Sequence, residues 1–240
     1  MEEKVEGLIL RGIRYGDSSL ILKIFTRAGG SQSFIASVSK KARGKGLQNS
    51  VLQPLQAISG VAQSSPKSEL LRLKEARLLF HYQYLRHDPV KNCLGLFLVE
   101  VLQYILREEE PQPSLLDFLL YGLRELDQTD KPVGHFHLVF LMRLLDHLGV
   151  APPAVESGPY LDLQEAHYRV DEALHPHWIQ GAVLAHWQEL QGLPFKDWWH
   201  FQVHASERRQ LLSALLDYFR LHVQDFGELR SRQVLREVLA

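Results

Sequence analysis

Residues 5–38 read VEGLILRGIRYGDSSLILKIFTRAGGSQSFIASV, and this stretch decides the fold that the sequence predicts. Three runs rich in branched apolar residues are separated by two short breaks, at residues 16–18 and 28–30, and each break contains glycine. Within the runs, apolar and polar side chains alternate with a period of two, which is typical of strands that bury one face. The stretch therefore predicts three consecutive strands joined by tight turns.

The same alternation assigns side chains to the core or to the surface. In the first run Val5, Ile9 and Ile13 share one side, so we expect all three to be buried. In the second run Lys23 and Arg27 fall on the face opposite to three regularly spaced aliphatic residues. These two cations are therefore expected on the outside of the sheet.

Two further runs, residues 55–62 and 68–77, complete a set of five predicted strands. In the last run Arg72 and Lys74 alternate with leucines and are expected to face outward. Five short strands with a long polar loop between the third and the fourth fit a small closed barrel of the OB type. An open sheet fits less well, because it would leave its edges exposed.

The loop after the third predicted strand begins with SKKARGKG at residues 39–46. It carries four positive charges and little that could be buried, so its charges face water or an anionic partner. A solvated surface loop is the simpler alternative for an isolated run of this size. We favour contact with nucleic-acid phosphate through Lys40, Lys41, Arg43 and Lys45.

The charge of the chain is divided unevenly, although the net charge is only -1. Through residue 80 there are thirteen Lys and Arg against six Asp and Glu, and beyond it there are fourteen against twenty-two. A basic module joined to an acidic one indicates that the first binds a polyanion, whereas the second meets protein partners or is solvated. The expected nucleic-acid contacts are Lys23, Arg27, Lys40, Lys41, Arg43, Lys45, Arg72 and Lys74.

The pattern changes from strand to helix after residue 80. Apolar residues recur at helical spacing within residues 89–107, 114–126, 134–148, 179–190, 206–224 and 231–239. Residues 154–177 are irregular and contain a candidate small hairpin. The sequence thus predicts an α+β protein with two domains, an OB-fold β-barrel at residues 1–80 and an all-helical domain at residues 81–240.

Cysteine usage and hydropathy indicate the compartment. Cys93 is the only cysteine, which excludes an internal disulfide framework and is typical of a reducing compartment. No segment approaches the ~18 uninterrupted apolar residues of a membrane-spanning helix. The glutamate-rich start does not have the pattern of a signal peptide. We therefore expect a cytoplasmic, nucleoid-associated protein without a membrane partner.

Three stretches of the chain carry a family resemblance. The first runs from Gly7 through the turn at residues 15–17 to Phe25-Thr26-Arg27, as strand, Tyr-Gly-acid turn and strand. The second is a helix with the sequence FLMRLLDHLG, and the third combines YFRLH with LRSRQVL near the end of the chain. In this order the stretches resemble the amino-terminal pattern, the central helix and the carboxy-terminal signature of the bacterial recombination mediator family RecO.

The resemblance implies a DNA-binding protein without catalytic residues or cofactors. Members of the family bind single- and double-stranded DNA, anneal complementary strands and contact the acidic tail of single-strand-binding protein. With RecR, they load RecA onto coated strands. The family's basic barrel face corresponds to the cations of the first module. The resemblance implies four partners, namely DNA, RecR, the acidic tail of single-strand-binding protein and, indirectly, RecA.

Two further implications concern the helical domain. The tail-binding groove belongs there, and Arg143, inside the similar helix, is the candidate cation for the carboxylates of the tail. Many members also hold a structural zinc ion with four cysteines between the central and the final helices. Residues 154–177 of this chain contain no cysteine, so no metal is expected.

Twelve histidines leave a second function class open. His-x-His pairs occur at residues 135–137 and 175–177, and His200 and His204 are spaced to share one helical face. Metal hydrolases use such histidines together with carboxylates. The chain has no His-Glu-x-x-His motif, and the pairs fall on unrelated elements. A metal-dependent hydrolase is therefore the alternative, and ordinary surface or packing histidines are the simplest interpretation.

Overall fold

The computed structural model describes residues 2–39, 46–65, 68–107, 109–153 and 158–239. They form two compact units, Met1–Asp88 with Gly95–Gln128, and Pro89–Leu94 with Thr129–Ala240. The domain boundary at residue 80 stays a prediction. Among the described residues, no helix combines the length and the hydrophobicity needed to span a membrane.

Five strands close into a barrel in the first unit. They are β1 (Glu2–Tyr15), β2 (Ser19–Thr26), β3 (Gly30–Ser37), β4 (Ala57–Ser65) and β5 (Ser68–Leu78). Their order around the barrel is β1-β2-β3-β5-β4, with β3 and β5 parallel and the other neighbours antiparallel. The prediction of a closed five-stranded barrel is confirmed, and its strand order is OB-like.

β1 is fourteen residues long because it pairs with two neighbours. Its first half pairs with β4 and its second half with β2, and a β-bulge between Ile9 and Arg11 interrupts the second pairing. The extra residue, Leu10, reverses the alternation that follows, so Ile13 points outward and is 48% exposed, while Val5 and Ile9 lie in the core. The expectation that Ile13 is buried was wrong, because an alternation rule assumes an unbroken ladder.

β2 and β3 follow the predicted alternation, and β5 follows it as far as Lys74, where its pairing with β4 shifts by one residue. The barrel core contains the expected inward residues of β2, β3 and β5, namely Leu22, Ile24, Phe34, Ala36 and Leu73. Arg72 and Lys74 are exposed, as predicted. The barrel is therefore filled by alternate residues of its strands, and the intervening residues form its outer surface.

The first unit also contains most of α1 (Pro89–Ile105) and all of α2 (Pro113–Gln128). In α1, the Gln103 side chain donates a hydrogen bond of 2.8 Å to the carbonyl of Leu10. Leu10 is fully buried although it lies at the bulge, outside the inward row of β1. α1 thus contacts the barrel at the one point where β1 leaves regular pairing.

One carboxylate holds the segment between the barrel and α1. Asp127, at the end of α2, is 1% exposed and accepts hydrogen bonds from the backbone N–H groups of Gln83, Tyr84 and Leu85, at 3.1, 2.9 and 2.7 Å. Hydrogen bonds to an ionised acceptor are stronger than bonds between neutral groups. Asp127 therefore ties α2 to the chain that leaves the barrel.

The second unit combines helices with a small sheet. Its elements are α3 (Phe136–Leu148), β6 (Tyr160–Asp162), β7 (His167–Arg169), β8 (Trp178–Gln180), α4 (Gly181–Gly192), a 3-10 helix (Phe195–His200), α5 (Ala205–His222) and α6 (Ser231–Val238). The three strands are antiparallel in the order β7-β6-β8. The helical character predicted for this part is confirmed, but the part is not all-helical, because the irregular segment folds into this sheet.

α3 is the most buried helix of the second unit. Nine of its thirteen residues are buried, and it packs against α4, α5 and the 3-10 helix. The ring of Phe136 makes T-shaped contacts with Trp198 and Phe195, at centroid distances of 5.1 and 5.6 Å. The helix ends at Gly149, whose φ of 69° forms a left-handed cap.

Replacing Asp127 with Ala should lower the free energy of unfolding by about 3 kcal/mol, because three backbone N–H groups lose a charged acceptor. Asp127→Asn keeps one acceptor oxygen and should cost less. Urea denaturation followed by circular dichroism measures both changes. Equal stability of the alanine variant and the native chain would show that water replaces the carboxylate without loss.

Candidate nucleic-acid interface

Outward side chains of β1, β2, β3 and β5 form three rows across the barrel, because directly paired residues lie on the same face of a sheet. The rows are Arg11 with Lys23 and Ser33, then Ile13 with Ile21, Ile35 and Arg72, then Tyr15 with Ser19 and Ser37. We call this surface the outer face. Its rows contain three cations and no carboxylate.

The described residues place no carboxylate against the cations of the outer face. In the part of the chain that the structure describes, Arg11, Lys23 and Arg72 make no ion pair, and neither does Lys74, which follows the core residue Leu73. Exposed charges without a carboxylate partner produce a positive potential that attracts anions. The outer face therefore has the electrostatics of a polyanion-binding surface.

A groove of about 320 Å³ adjoins the first row of the outer face. Arg11 and Lys23 line it on the barrel side, and Arg107, which follows α1, lines it as well. The guanidinium carbon of Arg107 lies 5.8 Å from the ring centroid of Tyr104, within the range of a cation–π contact. The groove thus brings three cations together from two parts of the first unit.

Apolar side chains lie between the cations of the outer face. Ile13 and Tyr15 are 48% and 58% exposed, and Ile21 and Ile35 are half-buried beside them. Surfaces that bind single strands combine cations for the backbone with aromatic or apolar groups against which bases stack. Tyr15 provides the aromatic ring for such a contact.

Arg27 does not belong to the outer face. Its guanidinium lies 2.7 Å from Glu6 and 2.6 Å from Asp117 of α2. The hydrogen bond from Arg27 lowers the pKa of the Asp117 carboxyl, and the bonds to Asp117 and Glu6 raise the pKa of Arg27. Two carboxylates thus compensate this cation, which links the barrel to α2. A contact between Arg27 and nucleic acid stays a prediction.

The four cations at residues 40, 41, 43 and 45, predicted as the leading contacts, lie outside the described residues. The ends of their loop are described. The N–H of Ser39 donates to Leu47 at 2.9 Å, and the N–H of Leu47 donates to Ser37 at 2.8 Å. Because Ser37 belongs to the third row, the chain leaves and re-enters the barrel at the edge of the outer face.

Sequence reasoning missed Arg11, Tyr15 and Arg107. An unbroken alternation that buries Ile9 and Ile13 would also bury Arg11 and Tyr15, so both were hidden by the unrecognised bulge. A charged residue on the inward side of a predicted strand is the signal that could have revealed it. Arg107 is far from the barrel in sequence, and only the fold brings it to the groove.

Arg143, the candidate for the partner's tail, lies in α3 and is engaged within the second unit. Its Nη2 donates to the carbonyls of Leu190 and Gln191, both at 2.9 Å, and its Nη1 lies 2.9 Å from Asp146. A cation at the C-terminus of a helix, here α4, is a stabilising arrangement. The role of Arg143 in tail binding stays a prediction.

A buried carboxylate stabilises the small sheet. It lies within residues 154–177, the segment in which the lack of cysteine argued against zinc. Asp162 accepts hydrogen bonds from the N–H groups of Gln164 and Glu165, both at 3.0 Å, and lies 3.3 Å from Arg169 and from His175. Burial raises the pKa of the Asp162 carboxyl, but these hydrogen bonds and the nearby Arg169 and His175 side chains outweigh it, so its pKa is below the usual value. The carboxylate thus links β6, β7 and the chain before β8.

The histidine pairs do not converge on one site. His135 contacts the backbone of Val203 at 2.9 Å, and His137 is buried in α3, where burial above all lowers its pKa to about 3. His204 precedes α5 and forms a capping box with Glu207. Across the described ranges, no group of three or more His, Cys, Asp or Glu is placed to hold a metal ion.

Two family models match the chain, Recombination protein O N terminal over residues 1–82 and Recombination protein O C terminal over residues 86–233. The chain belongs to the RecO family. The family resemblance of the three sequence stretches is thereby confirmed.

Relatives named "DNA repair protein RecO" match over nearly the full length. The protein of Phocaeicola vulgatus is 33% identical over 242 residues, covering 100% of both chains. That of Bacteroides fragilis is 33% identical and covers 99% of both chains, and that of Porphyromonas gingivalis is 30% identical and covers 95% of both. RecO membership therefore extends over both units, and the structure is that of a RecO-type DNA repair protein.

Replacing Asp162 with Asn should destabilise the protein at neutral pH. A carboxyl whose pKa is lower in the folded than in the unfolded protein stabilises the fold at pH values above its unfolded-state pKa. This stabilisation is lost as the pH falls through the folded-state pKa. The difference in unfolding free energy between the native chain and Asp162→Asn should therefore shrink from pH 7 to pH 3, as measured by urea denaturation. Asp130→Asn, at a side chain 90% exposed, is the control and should show no such trend. A difference independent of pH would contradict this prediction.

Proposed function

We propose that this RecO-family protein binds single- and double-stranded DNA without catalysing a reaction and anneals complementary strands. With RecR, it helps to load RecA onto DNA coated with single-strand-binding protein. The observation that carries the proposal is the outer face, on which Arg11, Lys23 and Arg72 make no ion pair with any described residue and lie among exposed and half-buried apolar side chains.

Binding at this surface depends mainly on the sugar-phosphate backbone. Each phosphate that a cation neutralises releases counterions, so affinity falls steeply as salt rises. Tyr15 and the isoleucines beside it support bases by stacking and apolar contact, which every base allows. The outer face therefore supports binding with little sequence preference.

Annealing follows from the same charges. Two complementary strands repel each other through their phosphates, and a protein that neutralises one backbone lowers this repulsion. Lys40, Lys41, Arg43 and Lys45 are further proposed contacts, because the described ends of their loop, Ser39 and Leu47, join the barrel beside the third row. Lys74 and Arg27 remain proposed contacts at its margins.

Family membership supports the proposed partners and compartment. RecR, the acidic tail of single-strand-binding protein and, indirectly, RecA are the proposed protein partners. The proposed location is the cytoplasm, at the nucleoid. The tail contact belongs to the helical part of the chain, and it requires a cation beside apolar side chains.

Replacing Arg11, Lys23 and Arg72 together with Gln should weaken binding to a labelled single-stranded oligonucleotide. If each cation meets one phosphate, the slope of log affinity against log salt should become flatter by about 2. Fluorescence anisotropy at several salt concentrations measures this slope.

The matched control replaces three other exposed cations, Lys4, Arg77 and Lys196, with Gln. It removes the same net charge and should leave the slope nearly unchanged. If both triple variants flatten the slope equally, only total charge matters, and the outer face is not the site.

The outer-face variant should also anneal complementary strands about tenfold more slowly than the native chain, because it neutralises fewer phosphates. The loss should appear both on bare strands and on strands coated with single-strand-binding protein. A fluorescence-quenching annealing assay, with the Lys4, Arg77 and Lys196 variant as control, measures both rates. If the native protein does not raise the annealing rate above that of the strands alone, the annealing proposal is contradicted.

A further inference from the structure

The loop between β7 and β8 exposes apolar side chains beside two carboxylates. It begins with the sequence VDEAL at residues 170–174. Val170 is 76% exposed and Leu174 is fully exposed, whereas Ala173 is buried and fixes the loop to the second unit. Asp171 and Glu172, which lie between the two exposed apolar residues, are exposed as well. We call residues 170–174 the acidic loop.

The charges of the acidic loop are not compensated by its neighbours. Arg169 and His175, which flank the loop in sequence, both lie 3.3 Å from the buried carboxylate of Asp162. In the described part of the chain, Asp171 and Glu172 make no ion pair. Exposed large apolar side chains that lie close together mark surfaces for protein contacts. The loop therefore offers both carboxylates and apolar side chains to another molecule.

The groove beside the first row of the outer face is complementary to the acidic loop. Its volume is about 320 Å³, and its described lining contains three cations and no carboxylate. Apolar side chains line the same groove, among them Ile13, Ile21 and Leu106. The groove can therefore accommodate a leucine side chain, with cations beside it for the neighbouring carboxylates. Protein interfaces combine apolar contacts and charge complementarity in this way.

We propose that the acidic loop of one copy of this chain binds the groove of a second copy. Leu174 enters the groove, and Asp171 and Glu172 pair with Arg11 and Lys23. The full exposure of Leu174 shows that the loop is not docked within its own chain. Each copy carries both a loop and a groove, so the two halves of the contact are always present at equal concentration.

This contact is weak and reversible, because a five-residue loop buries far less than the ~1,200 Å² of a stable interface. It covers Arg11 and Lys23, which are also proposed phosphate contacts, so a second copy and DNA compete for the groove. Self-association therefore lowers the affinity of the chain for DNA as protein concentration rises. The inference rests on the proposed function only in this competition.

The first test is sedimentation velocity of the full chain over a series of concentrations, without DNA. Val170→Ser with Leu174→Ser should weaken self-association about tenfold or more, because the apolar contacts in the groove are lost. Both side chains are exposed, so the fold tolerates the change. The matched control, Val234→Ser with Val238→Ser, removes exposed apolar side chains from α6 and should change self-association less than about twofold.

The second test reverses the charges on each side of the contact. Asp171→Lys with Glu172→Lys reverses the loop, and Arg11→Glu with Lys23→Glu reverses the groove. Neither variant should self-associate, because like charges meet across the contact. An equimolar mixture of the two variants should associate, because the reversed loop then meets the reversed groove. Nonspecific attraction between copies does not produce this recovery.

A labelled single-stranded oligonucleotide, added to the associated native chain, should separate the copies as it binds. The proposal is overturned if the native chain stays monomeric up to about 0.3 mM, or if the loop variant and its control associate equally. It is also overturned if the mixed reversal variants stay apart, or if the oligonucleotide binds and leaves the association unchanged. The sedimentation series contains no DNA, so failure of DNA binding would contradict the proposed function and leave its result intact.

Discussion

The β-bulge at Leu10 is the constraint on which the first unit depends. β1 closes the barrel by pairing with both β4 and β2, so a shift in its register redirects every side chain that follows. Before the bulge, Val5 and Ile9 fill the barrel; after it, Arg11 and the residues that alternate with it point outward beside Lys23. In an unbroken strand, Arg11 would enter an apolar core without a partner, at a large cost in free energy. The hydrogen bond from Gln103 to the carbonyl of Leu10 connects α1 to this point. Core packing and the cationic face therefore have one common origin.

Hydrophobic periodicity was sufficient to predict most strands and helices, but it was not sufficient to predict the register in which the strands pair. The strands and helices were predictable because each buries a repeating set of side chains, as in β2, β3 and α3. Periodicity alone did not reveal the bulge, because its one signal was the charge of Arg11 on the side of β1 that an unbroken strand would bury. Two residues of the strand Trp178–Gln180, Ile179 and Gln180, were included in a predicted helix, because three residues are too few to show a period and the strand depends on pairing with β6. The family resemblance added the order of barrel and helices along the chain, but it could not place single side chains.

The candidate sites show a second limit of prediction from sequence, which concerns the surroundings of each charged side chain. The excess of Lys and Arg before residue 80 predicted a basic barrel that binds a polyanion, but that prediction treated every cation as equal. In the structure, Arg27 is compensated by two carboxylates while Arg11 and Lys23 are not, and the partner of Arg27 in α2 is ninety residues away in sequence. Arg143 was chosen because its helix resembles that of the family, and in the structure its Nη2 donates to the end of α4 while its Nη1 lies 2.9 Å from Asp146. Whether a cation can meet a ligand depends on what the fold has already placed beside it, and no local pattern contains that information.

Local charge also accounts for the two proposed ligands of the outer face in a way that net charge does not. With a net charge of -1, two copies of the chain have little overall electrostatic attraction or repulsion. Screening limits the reach of exposed charges to about 8–10 Å at physiological salt, so a ligand responds to the side chains that line its site more than to the total. In the groove those side chains are cations beside isoleucine and leucine, and in the acidic loop they are carboxylates between exposed apolar side chains. A long backbone needs cations spaced along an extended path, which the rows of the outer face provide, whereas a short loop needs them gathered around one apolar groove. Because the groove lies at the first row alone, the loop covers part of the path that a nucleic-acid strand follows. A strand that binds along all three rows therefore displaces it.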